Sequence, residues 1–132
     1  MPTSRTVAFT DAAREFWRER RLCTVTTLRE DGSPHVVPMG IVLDPDHGRA
    51  WGITSRHSQK ALNLRRGPDR RIAVCQVDGR RWSTIEGIAE VRDDEPSVAE
   101  AVRRYAERYR QPRENAARVA IRIDLTRLLG NV

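Results

Sequence analysis

The chain is nearly devoid of lysine: of 24 basic residues among 132, only Lys60 is lysine and the rest are arginine. Cysteine is scarce as well. Cys23 and Cys75 each lie in an apolar, strand-like stretch, and a pair so placed reads as reduced core residues rather than a disulfide framework. Aromatic residues make up 5%, too few to interleave with basic residues as a nucleic-acid surface requires. His35, His47 and His57 show no ligand spacing with one another or with the cysteines, which argues against a metal site. No apolar run approaches a membrane span, and the first nine residues lack the apolar region of a signal peptide. The expectation is a cytoplasmic protein without membrane or nucleic-acid partners. Linker tracts and fixed-period repeats are missing too, so residues 1–132 read as one domain.

What the chain does have is positive charge, a formal +6. A surface this basic favours anionic partners, among them phosphorylated or polycarboxylate small molecules.

Thr10 and Asp11 cap a helix expected to run to about Arg21, with Ala13, Phe16 and Trp17 as its apolar stripe. Strands are expected over residues 22–29 and 35–43, joined by a turn centred on Asp31-Gly32. A third strand covers 49–54, and 55–66 is a loop entering a short helix that Gly67-Pro68-Asp69 stops. Strands at 71–77 and 81–92 flank the Asp78-Gly79 turn. In the second of these, Ser83, Ile85, Gly87, Ala89 and Val91 share a face. Asp93 and Asp94 cap a helix whose Val98, Val102, Tyr105 and Tyr109 fall on one side. A last strand alternates Val119, Ile121, Ile123 and Leu125 with polar or small residues. Six strands, mostly in antiparallel hairpins, with three short helices imply a mainly β fold, a small six-stranded barrel. Closure would remove aggregation-prone edges.

The stretch richest in chemistry is Thr54-Ser55-Arg56-His57-Ser58-Gln59-Lys60-Ala61-Leu62-Asn63. A strand ends, a hydroxyl-rich turn follows, and a helix begins. Unpaired N–H groups at a helix start, hydroxyls and one compact cation together suit a phosphate. The same residues also fit an ordinary helix cap with Lys60 on a solvated face. In Val37-Pro38-Met39-Gly40, Pro38 cannot donate to a sheet ladder and marks an edge. Gly40 would let a flat ligand approach, or would simply be a strand-end irregularity. Trp82 could lie over a ring or serve packing.

At these residues the chain resembles the pyridoxamine-phosphate-oxidase-like split β-barrel superfamily, and within it the flavin/deazaflavin oxidoreductases of the B branch. The segments that carry the resemblance are 28–37, Ser58-Gln59-Lys60-Ala61-Leu62-Asn63, Ile85-Glu86-Gly87 and 105–110. Residues 76–82 and 108–113 are most similar to the deazaflavin-dependent biliverdin-reducing subgroup. The resemblance implies a homodimer with the cofactor in a groove between subunits, the deazaflavin coenzyme F-420 or alternatively FMN. It implies hydride transfer to an organic small-molecule acceptor. By the same resemblance Thr54, Ser55, Ser58 and Lys60 hold the cofactor phosphate, with Gln59 and Asn63 beside them. Val37, Pro38, Met39 and Gly40 flank the ring, and Trp82 falls at a further ring contact. No general acid is evident; His35 is a candidate by position, and a non-catalytic flavin- or deazaflavin-binding protein is the alternative.

Overall fold

Thr10 caps as expected: its Oγ1 accepts the Ala13 N–H at 3.1 Å and starts α1 (Asp11–Phe16) in the computed structural model, which describes residues 7–132. The helix stops at Phe16 rather than near Arg21. Arg18 and Glu19 turn their N–H groups to the carbonyls three residues back, at 3.0 and 3.3 Å. The Glu19 carbonyl is then taken by the Arg108 guanidinium, at 2.8 and 3.1 Å, instead of a helical N–H.

Seven strands follow, one more than the pattern predicted. They are β1 (Cys23–Leu28), β2 (Pro34–Met39), β3 (Val42–Asp44), β4 (Arg49–Ser55), β5 (Arg71–Asp78), β6 (Arg81–Arg92) and β7 (Arg118–Gly130). Between them lie a 3-10 turn at Pro45–His47, α2 (Gln59–Arg66) and α3 (Glu95–Arg108). The extra strand arises because the run expected over 35–43 breaks at Gly40-Ile41. Up to Met39 it pairs with β1, and from Val42 it pairs with β4.

All pairings are antiparallel, in the order β2-β1-β5-β6-β7-β4-β3. The edge strands β2 and β3 are thus consecutive in sequence. Met39 and Val42 are three residues apart, a reach of about 11 Å at most. So short a link forces the two edges of a seven-stranded sheet together at one end, and the sheet must roll up. A bulge at Glu86/Gly87 helps it bend.

The rolled sheet has two differently covered faces. Its inner face carries Val25, Val74, Ile85, Ile121 and Ile123, all fully buried, with Phe16 of α1, Trp17 just after it and Leu64 of α2 added. On its outer face, α3 covers one half, packing Ala101 and Val98 on Trp51, Ile53 and Ala120. The pattern missed this second layer, which is why Ala120 is buried although it alternates with the inner residues. Cys23 and Cys75 are both free. Cys75 pairs across from Thr24, so it faces away from Cys23, is half-exposed, and is no core residue.

A buried cation ties these layers together. Arg108, 8% exposed, donates to the carbonyls of Glu19 and Ile41 and to the Gln76 side chain. Gln76, fully buried, donates in turn to the Phe16 carbonyl at 2.8 Å. We expect Arg108→Met to destabilise the chain by roughly 3 kcal/mol or more, since several charge-assisted bonds to buried acceptors go at once. Urea unfolding measures this, and a loss below ~1 kcal/mol would contradict a central role for the network.

Candidate functional site

β4 carries Thr54 and Ser55 to its C-terminal end, and three residues later Ser58 caps α2. The Ser58 Oγ accepts the Ala61 N–H at 3.3 Å and a hydrogen bond from Thr54 Oγ1 at 3.0 Å. Ser58 N–H donates to the Ser55 carbonyl at 3.1 Å, and Asn115 donates to Ser55 Oγ at 2.9 Å. In the first turn of α2 the N–H groups of Gln59 and Lys60 have no intrahelical acceptor. The positive end of the helix therefore opens at these residues.

Lys60 is half-buried, and burial alone holds its pKa below 10.5. It forms no ion pair among the described residues. Facing it is the inner side of β2. His35 lies across from Thr27 there, with Nδ1 buried and unpartnered. Burial first, then the charges of Arg29 and Lys60, push its pKa below 6.5. At neutral pH this imidazole is uncharged, which makes it a hydrogen-bonding partner rather than a store of a proton.

The structure gathers part of the expected set. Met39 and Gly40 from the β2 end meet Thr54 and Ser55 in a groove of about 380 Å³, which Arg110, Arg113 and Arg118 also line. Val37 shares the inner face of β2 with His35 and Met39. Other residues fall elsewhere. Pro38 points to the outer face, exposed on the edge strand. Asn63 is 4% exposed and structural, accepting from Gln59 Nε2 at 2.6 Å and donating to Thr27 Oγ1 at 2.9 Å. That bond also occupies the Gln59 amide.

Gly40 is glycine for a different reason than ligand access. A Cβ there would sit 2.7 Å from Tyr109 Cε2 and 3.0 Å from Tyr105 Cε2, so the two rings fill the space. Trp82 stands at the far end of β6 from α2, whose Arg65 approaches Asp93 just beyond that strand. Within one chain Trp82 takes no part in the site. Tyr109, Arg108 and the three groove arginines were given no individual role by sequence reasoning, although residues 105–113 carry part of the resemblance. Tyr109 was visible only as a stripe residue, and an arginine in a helix reads as exposed by default.

A larger cavity, about 500 Å³, lies between α1, the 3-10 turn and α3. Arg14 pairs there with Asp46 and Arg104 with Asp44, and the His47 ring nitrogen Nδ1 is hydrogen-bonded to Asp44.

The pattern of the pyridoxamine 5'-phosphate oxidase family matches residues 9–131. The chain belongs to that family. A curated relative is 46% identical over 127 residues, covering 96% of this chain and 90% of its own length; it is a biliverdin reductase dependent on reduced F-420 from Mycobacterium tuberculosis. Among solved structures, the conserved hypothetical protein Rv2991 of the same organism is 28% identical with a TM-score of 0.76, covering 98% of this chain and 89% of that one. An F-420 reductase is 19% identical with a TM-score of 0.73, covering 92% and 98%, a likeness of fold alone.

For a pyridoxamine 5'-phosphate oxidase family member, the residues present fit an anionic cofactor. A half-buried lysine without a carboxylate and a buried ring nitrogen without a partner are both unsatisfied in the bare protein. Lys60 then carries a testable cost. Its folded pKa lies below the unfolded 10.5, so the charged side chain destabilises the unliganded fold at neutral pH, and the penalty is relieved as pH rises through the folded value. We expect Lys60→Met to unfold at higher urea than the wild type at neutral pH, with the advantage shrinking as the pH approaches 10.5. A variant less stable at neutral pH would contradict the site.

Proposed function

We propose that the chain is an oxidoreductase in which Lys60 and the N-terminus of α2 hold the phosphate of coenzyme F-420, and that it reduces an organic acceptor of the linear tetrapyrrole class. The observation that carries this reading is Lys60 itself: the sole lysine, half-buried, unpaired, and placed where a helix start and two hydroxyl side chains converge. The biliverdin-reducing relative supports the choice of cofactor and acceptor.

In this reading F-420 supplies the hydride. The protein does the rest: Lys60, Ser55, Thr54 and the first-turn N–H groups anchor the phosphate end. The inner face of β2, with Val37 and Met39, shapes an apolar wall for the ring. Neutral His35 orients polar ring or substrate atoms. The final proton comes from solvent, since no carboxyl group lines the groove and His35 is neutral. Cytoplasmic residence accords with such a soluble cofactor.

We further assign a homodimer. α3 covers only half of the outer sheet face. On the bare half, Val36, Val77, Trp82, Ile88 and Leu129 fall on one side by strand register and are 38–60% exposed. Exposed apolar side chains on an open sheet face suit an interaction surface, and a second copy would bring its own Trp82 toward the site.

Direct titration tests the cofactor. The wild type should bind F-420 at micromolar concentration and FMN more weakly, while Lys60→Met should bind F-420 about 10- to 150-fold more weakly, the loss of one charge-assisted hydrogen bond. Unchanged affinity in the variant would displace the phosphate site, and an FMN preference would move the chain to flavin chemistry.

Sedimentation tests the assembly. The wild type should be a dimer and Val77→Asp a monomer of unchanged fold. A monomeric wild type at micromolar concentration would refute the shared interface.

A further inference from the structure

Two serines of the phosphate turn are each left with a proton to give. A hydroxyl carries one proton to donate and two lone pairs to accept with. Thr54 Oγ1 donates to Ser58 Oγ at 3.0 Å, so its proton stays inside the turn. Ser58 Oγ also accepts the Ala61 N–H at 3.3 Å. Both of its lone pairs are then taken, and its own proton has no acceptor among the described residues.

Ser55 is set in the same way from farther along the chain. Asn115 Nδ2 donates to Ser55 Oγ at 2.9 Å. The amide cannot turn over: its Oδ1 accepts the Ala117 N–H at 2.9 Å, and a nitrogen in that place would meet a second donor. The Asn115 backbone is held as well. Its carbonyl accepts the Arg118 N–H at 3.1 Å, and Arg56 N–H donates to the Ala117 carbonyl at 2.8 Å. Ser55 Oγ therefore faces an N–H, toward which it can only accept. Its proton too has no acceptor among the described residues. Thr54, Ser55 and Asn115 all line the groove of about 380 Å³.

We infer that Asn115 and Thr54 are positioning residues for the phosphate, each donating to a serine of the turn and so turning that serine's O–H outward as a donor. The inference rests on the cofactor reading above. Ser55 and Ser58 then present two aimed O–H groups beside the Lys60 ammonium, and Thr54 acts through Ser58 rather than on the phosphate itself. A hydroxyl free in water donates or accepts with equal ease, whereas one that faces an N–H is biased to donate. Ionised phosphate oxygens only accept, so the bias suits them, and less ordering remains to be done when they bind.

Fluorescence titration with F-420 tests this, with melting to check that each variant keeps its fold. Ser55→Ala should weaken binding about tenfold or more, the loss of a hydrogen bond to a charged group. Asn115→Ala should weaken it about 3- to 10-fold, and by less than about twofold when Ser55 is already alanine, because its effect runs through that hydroxyl. Thr54→Val should depend on Ser58 in the same manner. Asn115→Asp separates aiming from bracing: a carboxylate still accepts the Ala117 N–H, but it also accepts from Ser55 and so reverses the hydroxyl. Its loss should exceed that of Asn115→Ala, and the excess should shrink when Ser55 is alanine. Additive losses within either pair, or a milder effect of Asn115→Asp than of Asn115→Ala, with the Lys60→Met loss of F-420 binding intact, would overturn the positioning role and leave the cofactor reading standing. Undiminished binding by Lys60→Met would overturn both.

Discussion

A guanidinium buried without a carboxylate holds this fold together. Arg108 is surrounded by neutral acceptors: two backbone carbonyls and one glutamine oxygen. Its charge is also spread against two aromatic faces, Trp17 at 5.8 Å and Tyr109 at 5.0 Å from the ring centroids. Dipoles and π-faces replace water here, which is tolerable for a delocalised, weakly hydrated cation and would not be for an ammonium. The chain's near-exclusive use of arginine matches this core.

The consequence is geometric. Arg108 draws together the segment after α1, the Gly40-Ile41 crossover, β5 and the end of α3. The Tyr109 hydroxyl reinforces it, donating to the Arg21 carbonyl at 2.7 Å and accepting the Ile41 N–H at 3.3 Å. The crossover is the point at which both edges of the rolled sheet meet. Fixing it fixes the end of β2 relative to the end of β4, and hence Met39 relative to Thr54. The α3 loop that begins at Arg108 then carries Arg110 and Arg113 into the same groove. One buried network thereby sets both the closure of the fold and the walls of its site.

The site inverts the logic of that core. Arg108 is buried and satisfied, whereas Lys60 is half-buried and unsatisfied, and His35 keeps a ring nitrogen with no partner. Groups left open in the bare chain are the ones with free energy to give to a ligand. In the larger cavity near Asp44, Arg14 and Arg104 have carboxylate partners, whereas Lys60 has none among the described residues.

Much of this was legible in order along the chain. The Thr10 cap, the alternation in β6 and β7, the Asp-Gly turns, Pro38 at an edge and the turn before Lys60 are local features, and local backbone chemistry decides them. Resemblance to the flavin/deazaflavin branch read the family from the same segments. Three things escaped. The break at Gly40 was hidden because an apolar run continues through it, and only the packing of Tyr105 and Tyr109 on that glycine shows why the strand must end. Asn63 read as a site residue because it follows Lys60, yet its amide is consumed between Gln59 and Thr27. Arg108 and the groove arginines were indistinguishable from the other arginines of the chain. What the sequence determined alone was most of the elements and the family, since caps, turns and periodicity act over a few residues. What only the tertiary structure decided was which polar groups find partners. That depends on which distant segments the rolled sheet brings within hydrogen-bond reach.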